Sequence, residues 1–76
     1  MTRLFLKLNM INDIYAFYKI VQKISGKVYL QQSQYLINAK SLMGILSLDL
    51  TKIVTFICEE NISDEIIIEL NKFSVE

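Results

Sequence analysis

Residues 38–48 read Asn-Ala-Lys-Ser-Leu-Met-Gly-Ile-Leu-Ser-Leu, a stretch in which a serine directly precedes an apolar segment with helical spacing. Serine is common at the N-cap position, where its hydroxyl accepts a hydrogen bond from a free amide of the first helical turn. Those amides and the helix dipole would also stabilise a phosphate carried by the serine. The stretch predicts a short helix from about Ser41 to Leu46. It also makes Ser41 a candidate phosphorylation site, with Lys40 as a neighbouring positive charge.

The chain before this stretch predicts a strand, a helix and a hairpin. Apolar and other residues alternate over 3–8 as in a half-buried strand, with Leu4, Leu6 and Leu8 on one face. Apolar residues then recur at helical spacing over 14–24, after the N-cap candidates Asn12 and Asp13 and before a stop at Ser25-Gly26. Two short strand-like runs, 27–31 and 35–38, suggest a hairpin around residues 32–34.

The chain after the stretch predicts one more strand and one more helix. Residues 52–59 are rich in β-formers, and Val54, Phe56 and Cys58 share one face, so Cys58 is interpreted as a buried core thiol. A last helix begins at Ser63 with acidic residues in its first turn. Its predicted core face consists of Ile66, Ile67, Leu70 and Phe73. The order βαββαβα predicts an α+β fold with helices on one side of an antiparallel sheet.

Length and composition limit the function classes. Seventy-six residues predict a single domain, 1–76, in which 53% of the residues are hydrophobic. One cysteine and no histidine provide neither an internal disulfide nor a zinc or iron–sulfur site, so no metal and no cofactor are expected. No signal peptide is visible, and no apolar run approaches the roughly 20 residues that span a bilayer. We expect a cytoplasmic protein without a membrane partner.

Charge is unevenly distributed although the net charge is zero. Residues 1–48 hold six bases and one acid, which gives +5, whereas residues 49–76 hold two bases and seven acids, which gives −5. If Lys19, Lys23 and Lys40 share a face, that face would attract an acidic partner. Direct nucleic-acid binding is not expected, because the chain has neither an arginine cluster nor a basic excess.

The stretch 38–48 resembles the regulatory serine segment of HPr, the small phosphocarrier of the bacterial sugar phosphotransferase system, and of its paralogue Crh. Residues 26–30, Gly-Lys-Val-Tyr-Leu, lie where that family has its second strand, and the chain from Ser63 onward is similar to its final helix. The resemblance implies an open-faced β-sandwich with strand order 1-4-2-3 and three helices on one face. It also implies that Ser41 is the target of HPr kinase/phosphorylase.

The family's phosphocarrier motif, glycine, an aliphatic residue, histidine, alanine, arginine and proline, is absent. Alignment places residues 11–16 on that motif, with Asp13 at the histidine, Tyr15 at the arginine and Ala16 at the proline. No imidazole exists to accept phosphate on nitrogen and pass it on near neutral pH. Asp13 as an acyl-phosphate acceptor is disfavoured, because such aspartates use Mg²⁺ held by further carboxylates.

The resemblance also implies a docking surface at the starts of the first two helices. It would comprise Tyr15, Tyr18, Lys19, Lys40, Ser41, Leu42, Met43 and Leu46. The two tyrosines lie outside the apolar stripe of their helix, and tyrosines often anchor partners. In an alternative interpretation, Leu42 and Met43 only close the core.

Three function hypotheses follow. The first is a regulatory protein of the Crh type that is phosphorylated on Ser41 and binds a catabolite-control transcriptional regulator. The second is a constitutive interaction module, or a homodimer, that has lost all phosphorylation. The third and least favoured is a phosphocarrier that works through Asp13. We expect the protein to act by binding and not as an enzyme.

Overall fold

The structure is a four-stranded antiparallel sheet with three helices packed on one face around a single core. It is a computed structural model that describes residues 1–75. The strands are β1 (Thr2–Leu6), β2 (Val28–Gln32), β3 (Tyr35–Asn38) and β4 (Val54–Cys58), in the spatial order β1-β4-β2-β3. The helices are α1 (Ile11–Val21), α2 (Leu42–Leu46) and α3 (Asp64–Leu70), and a short 3₁₀ turn, Asn71–Phe73, follows α3. The predicted element order and the predicted strand order are both confirmed.

The core forms where the inner face of the sheet meets α1. Val54, Phe56 and Cys58 are fully buried on β4, as their alternation predicts, and Cys58 is a free buried thiol. The ring of Phe17 on α1 meets that of Phe56 edge to face, with centroids 6.3 Å apart. Such perpendicular contacts are favourable for aromatic pairs beyond their buried area. This contact packs α1 against β4.

The predicted N-cap of α1 is wrong. The helix begins at Ile11 with Met10 as its N-cap, so Asn12 and Asp13 lie inside the first turn. The Oδ2 atom of Asp13 accepts a hydrogen bond of 3.3 Å from the backbone N–H of Met10. An acidic residue at this third position satisfies the N-cap amide from within the helix.

Element lengths also differ from the prediction. The α1 helix ends at Val21, because the next amides, of Lys23 and Ile24, bond to carbonyls three residues earlier and tighten the chain into turns. The turn closes at Gly26, whose φ of +91° favours glycine. On the sheet, β1 stops at Leu6, so Leu8 is buried just beyond the strand and not within it.

The C-terminal segment covers one edge of the sheet. The backbone N–H of Lys7 donates to the carbonyl of Phe73, and that of Val75 donates to the carbonyl of Phe5, each over 2.9 Å. A β-bridge pairs Leu6 with Ser74 between these bonds. The outer edge of β1 is therefore paired, and β3 forms the opposite edge of the sheet.

The helices of the described chain are short. The longest of them, α1, has 11 residues, and within residues 1–75 no helix is long and apolar enough to cross a membrane.

Asp49 organises the loop between α2 and β4. Its backbone N–H donates to the side-chain carbonyl of Gln32, and its own carbonyl accepts from the amide nitrogen of the same side chain, over 2.8 and 2.7 Å. The carboxylate accepts from both the hydroxyl and the N–H of Thr51. These two hydrogen bonds, with the hydroxyl contributing most, hold the pKa of Asp49 below its ordinary value of 3.8.

The lowered pKa of Asp49 predicts a pH dependence of stability. Because the folded pKa lies below the unfolded one, the contribution is complete above pH 3.8 and is lost as the pH falls through the folded value. We expect urea unfolding measured between neutral and strongly acidic pH to show a shallower acid slope in Asp49→Asn. Thr51→Val should reduce the slope in the same direction, because it removes the hydroxyl donor. Identical acid slopes in wild type and Asp49→Asn would contradict this assignment.

Candidate functional site

Ser41 is the N-cap of α2, as its position before the apolar segment predicts. Its Oγ atom accepts a hydrogen bond of 3.1 Å from the backbone N–H of Gly44. Its own N–H donates to the carbonyl of Asn38 at the end of β3, over 3.0 Å. The residue is half-buried. Ser41 is therefore held at the start of the helix at two points, its hydroxyl by the amide of Gly44 and its backbone by the carbonyl of Asn38.

The ammonium of Lys40 is not the free positive charge beside Ser41 that the sequence suggests. Its Nζ atom donates to the carbonyl of Ile24, just after α1, over 2.5 Å, and the side chain is half-buried. This ammonium supplies a donor to a carbonyl of the turn that follows α1 and so stabilises that turn. The positive charge that the sequence places beside Ser41 is thus engaged in a structural contact.

Gln22, the residue directly after α1, joins the end of that helix to the loop that leads into α2, and it is absent from the predicted site. Its amide nitrogen donates to the carbonyl of Lys40 over 3.0 Å. Gln22 lies four residues after Tyr18 and seven after Tyr15, so as the C-cap of α1 it continues the side of the helix that carries the two tyrosines. That helical spacing is the signal that would have identified it. The hydrogen bond places the end of this face next to the residue that precedes Ser41.

The outward face of α1 carries apolar and aromatic side chains. Tyr15 is 46% exposed, and Ile11, four residues earlier on the same face, is 63% exposed. Ile11 was also missed by the sequence analysis, although its spacing from Tyr15 indicates it. Tyr18 differs from expectation because it is half-buried and packs against the core, with buried Ile14 and Val21 one turn away on either side.

The three apolar residues predicted on α2 separate into two roles. Met43 is 82% exposed and Leu46 is 51% exposed. Leu42 is half-buried and packs against the core beside the fully buried Ile45. The core-closing interpretation therefore holds for Leu42 and is wrong for Met43, whose thioether lies in solvent.

Lys19, Lys23 and Lys40 do not form a face of three free ammonium groups. The Nζ atom of Lys23 lies 3.3 Å from a carboxylate oxygen of Glu69 on α3, and the Lys40 ammonium is engaged with Ile24. Lys19 is exposed on α1. The uneven charge of the sequence is thus partly compensated across the contact between α1 and α3.

Asp13, the residue aligned with the family's histidine, lines a cleft between α1 and the C-terminal segment. Polar neighbours in the cleft include Lys7, Asn12, Lys72 and Ser74. Among residues 1–75, Asp13 is the one carboxylate that lines it. In the same described range, no three His, Cys, Asp or Glu side chains are grouped as a metal site requires.

Comparisons with known proteins agree with this architecture. No protein-family model and no curated protein matches the sequence. A solved structure of similar shape is that of HPr-C-His from Thermoanaerobacter tengcongensis, with a TM-score of 0.76 and 23% sequence identity. The match covers 95% of this chain and 89% of that one. The protein therefore has an HPr-like fold.

Proposed function

We propose that this protein is a regulatory member of the HPr/Crh group that has lost histidine phosphocarrier activity. In this proposal, HPr kinase/phosphorylase phosphorylates Ser41, and the modified protein binds a catabolite-control transcriptional regulator in the cytoplasm. It acts by protein–protein binding and not as an enzyme. The single observation that carries the proposal is Ser41 at the N-cap of α2, within the serine segment that resembles the family.

The position of Ser41 supports phosphorylation on chemical grounds. A phosphate on its Oγ atom would lie next to the amides of the first turn of α2, among them the Gly44 N–H that the hydroxyl now accepts from. Free amides at a helix start stabilise anions. Modification would therefore add negative charge at the start of α2, two residues before the exposed side chain of Met43.

The absence of histidine supports the loss of phosphoryl relay. The chain contains no imidazole, and Asp13 is engaged with the N–H of Met10. Relay between proteins needs a group that both accepts and releases phosphate near neutral pH. We infer that phosphoenolpyruvate and enzyme I transfer no phosphate to this protein.

The docking surface proposed for the regulator combines exposed side chains of α1 and α2. Tyr15 and Lys19 lie on α1, and Met43 and Leu46 lie on α2. Aromatic residues and methionine are enriched at the centres of protein interfaces, and exposed charge at the rim selects partners. Tyr18 and Leu42 contribute mainly by supporting these side chains from the core.

The proposal is tested by incubating the purified protein with HPr kinase/phosphorylase of the same cell and ATP, and then mapping the phosphate by mass spectrometry. We expect stoichiometric modification of Ser41 and none in Ser41→Ala. Ser47→Ala, which alters the other serine of the same segment, and Asp13→Ala should both be modified like wild type.

Two outcomes would contradict the proposal. One is a wild-type protein that the cognate kinase leaves unmodified, and the other is phosphate that persists in Ser41→Ala. An unmodified protein that nevertheless binds a partner through Tyr15 and Met43 would favour the constitutive interaction module instead.

A further inference from the structure

The two edge strands of the sheet differ in whether their outer backbone groups are paired. The outer edge of β1 is paired with residues 73–75, whereas β3 has no strand on its outer side within the described residues. Exposed strand edges are templates for pairing with another chain, and proteins usually protect them with charge, proline or a covering segment. The β1 edge has such protection, and the β3 edge does not.

The hairpin that contains β3 also lacks charge. Residues 28–39 include no Asp, Glu, Lys or Arg, and no proline or glycine. Tyr35 is 61% exposed and Leu36 is 57% exposed. Uncharged segments with high β-propensity and without proline favour strand association. The bare edge is therefore also chemically suited to pairing.

The hairpin geometry shows which backbone groups face the open edge. Ser33, at a φ of +54°, and Gln34 form a two-residue loop between the paired residues Gln32 and Tyr35. In such a hairpin the pair next to the loop exchanges hydrogen bonds, and bonded pairs then alternate. Leu36 therefore points its N–H and C=O away from β2. The N–H of Asn38 points the same way, while its carbonyl accepts from Ser41.

The geometry points to a homodimer in which β3 pairs antiparallel with β3 of a second copy about a two-fold axis at Leu36. In this register Leu36 faces its own equivalent, and the two outward-pointing amide and carbonyl groups bond reciprocally. Tyr35 faces Ile37 of the second copy, which is a favourable pair of an aromatic and a β-branched residue. Gln34 faces Asn38 of the second copy, so two amide side chains meet.

We assign a second copy of this chain as the partner of the β3 edge, because the edge is self-complementary in polarity and charge. In this register apolar residues face apolar residues and polar residues face polar ones, and like charges are never opposed because the segment has none. The same pairing at the β1 edge, centred on Phe5, would place Arg3 opposite Lys7 of the second copy, which is repulsive. A two-fold contact of this kind is closed and does not propagate into fibres.

The size of the edge sets the expected affinity. A strand of four residues buries less than the roughly 800 Å² per partner of stable complexes, so we expect a dissociation constant of about 100 µM. The dimer joins two four-stranded sheets into one sheet of eight strands. It does not depend on phosphorylation of Ser41, so its failure and that of the proposed function are separate results.

The test is sedimentation velocity of the unmodified protein from about 10 µM to about 1 mM. We expect a monomer–dimer equilibrium in this range. Leu36→Lys places two lysines opposite each other at the axis and should raise the dissociation constant at least about tenfold. The matched control is Phe5→Lys, because Phe5 is 55% exposed on β1 and comparable in exposure to Leu36. This control should associate like wild type.

Amide exchange gives a second measurement. The Leu36 N–H should exchange more slowly as the protein concentration rises, because dimerisation gives it a partner, whereas exchange at the paired amides of β4 should not change. The inference is overturned if the protein stays monomeric up to about 1 mM. It is equally overturned if Leu36→Lys dimerises like wild type, or if Phe5→Lys weakens the dimer as much as Leu36→Lys does.

Discussion

Replacing Phe56 with alanine is expected to lower the free energy of unfolding by about 3–5 kcal/mol. Phe56 is fully buried at the centre of β4, and its ring contacts Phe17 of α1 edge to face. Truncation removes buried apolar area and leaves a cavity that the surrounding strands can close only in part. A domain of this length has a total stability of only about 4–11 kcal/mol, so the variant would be near its unfolding threshold.

The measurement is chemical denaturation followed by circular dichroism. Phe5→Ala serves as the matched control, because it removes the same ring from a side chain that is 55% exposed on the opposite face of the sheet. We expect the control to change stability by less than about 1 kcal/mol. Equal losses in the two variants would contradict the assignment of the core to the helical side of the sheet.

Replacing Tyr15 and Met43 together with alanine is expected to weaken binding of the Ser41-phosphorylated protein to the proposed regulator by about 10–100-fold. The two side chains are 46% and 82% exposed on α1 and α2. Interface energy concentrates in a few large side chains, and truncation of an exposed residue leaves the fold intact. Binding would be measured by calorimetry with the protein modified on Ser41.

Ile68→Ala is the control for this measurement, because Ile68 is an equally large apolar residue, 65% exposed on α3, outside the proposed surface. It should bind like wild type. Unchanged affinity in the Tyr15 and Met43 double variant would exclude this surface as the docking site. A similar loss in Ile68→Ala would move the interface towards α3.

Local sequence patterns were sufficient where one residue and its immediate neighbours determine the structure. The N-cap roles of Ser41 and Ser63 are confirmed, because a serine hydroxyl reaches an amide only three residues away. The buried alternation of Val54, Phe56 and Cys58 is confirmed for the same reason, since strand period alone assigns the face. The element order followed from such patterns, and the strand order followed from the resemblance to HPr.

The wrong predictions about charge depend on contacts between distant parts of the chain. The ammonium of Lys40 donates to the carbonyl of Ile24. Lys23 forms an ion pair with Glu69, which is 46 residues away from it in the sequence. No local pattern distinguishes a lysine that has such a partner from one that has none, because both partners lie far away in the sequence. Two of the three lysines of the expected basic face therefore have partners in the folded protein.

The amino-acid sequence by itself determined the elements, their order, the N-cap serine and the lack of an imidazole, because these depend on residue identity and on spacing within one turn or strand. Only the tertiary structure decided which charged side chains have partners. It also decided that Tyr18 and Leu42 pack against the core while Met43 does not. Finally, it decided that the outer edge of β1 is paired while that of β3 is not. Those properties arise when segments distant in sequence come into contact, and the energy of such contacts depends on packing that no single segment contains.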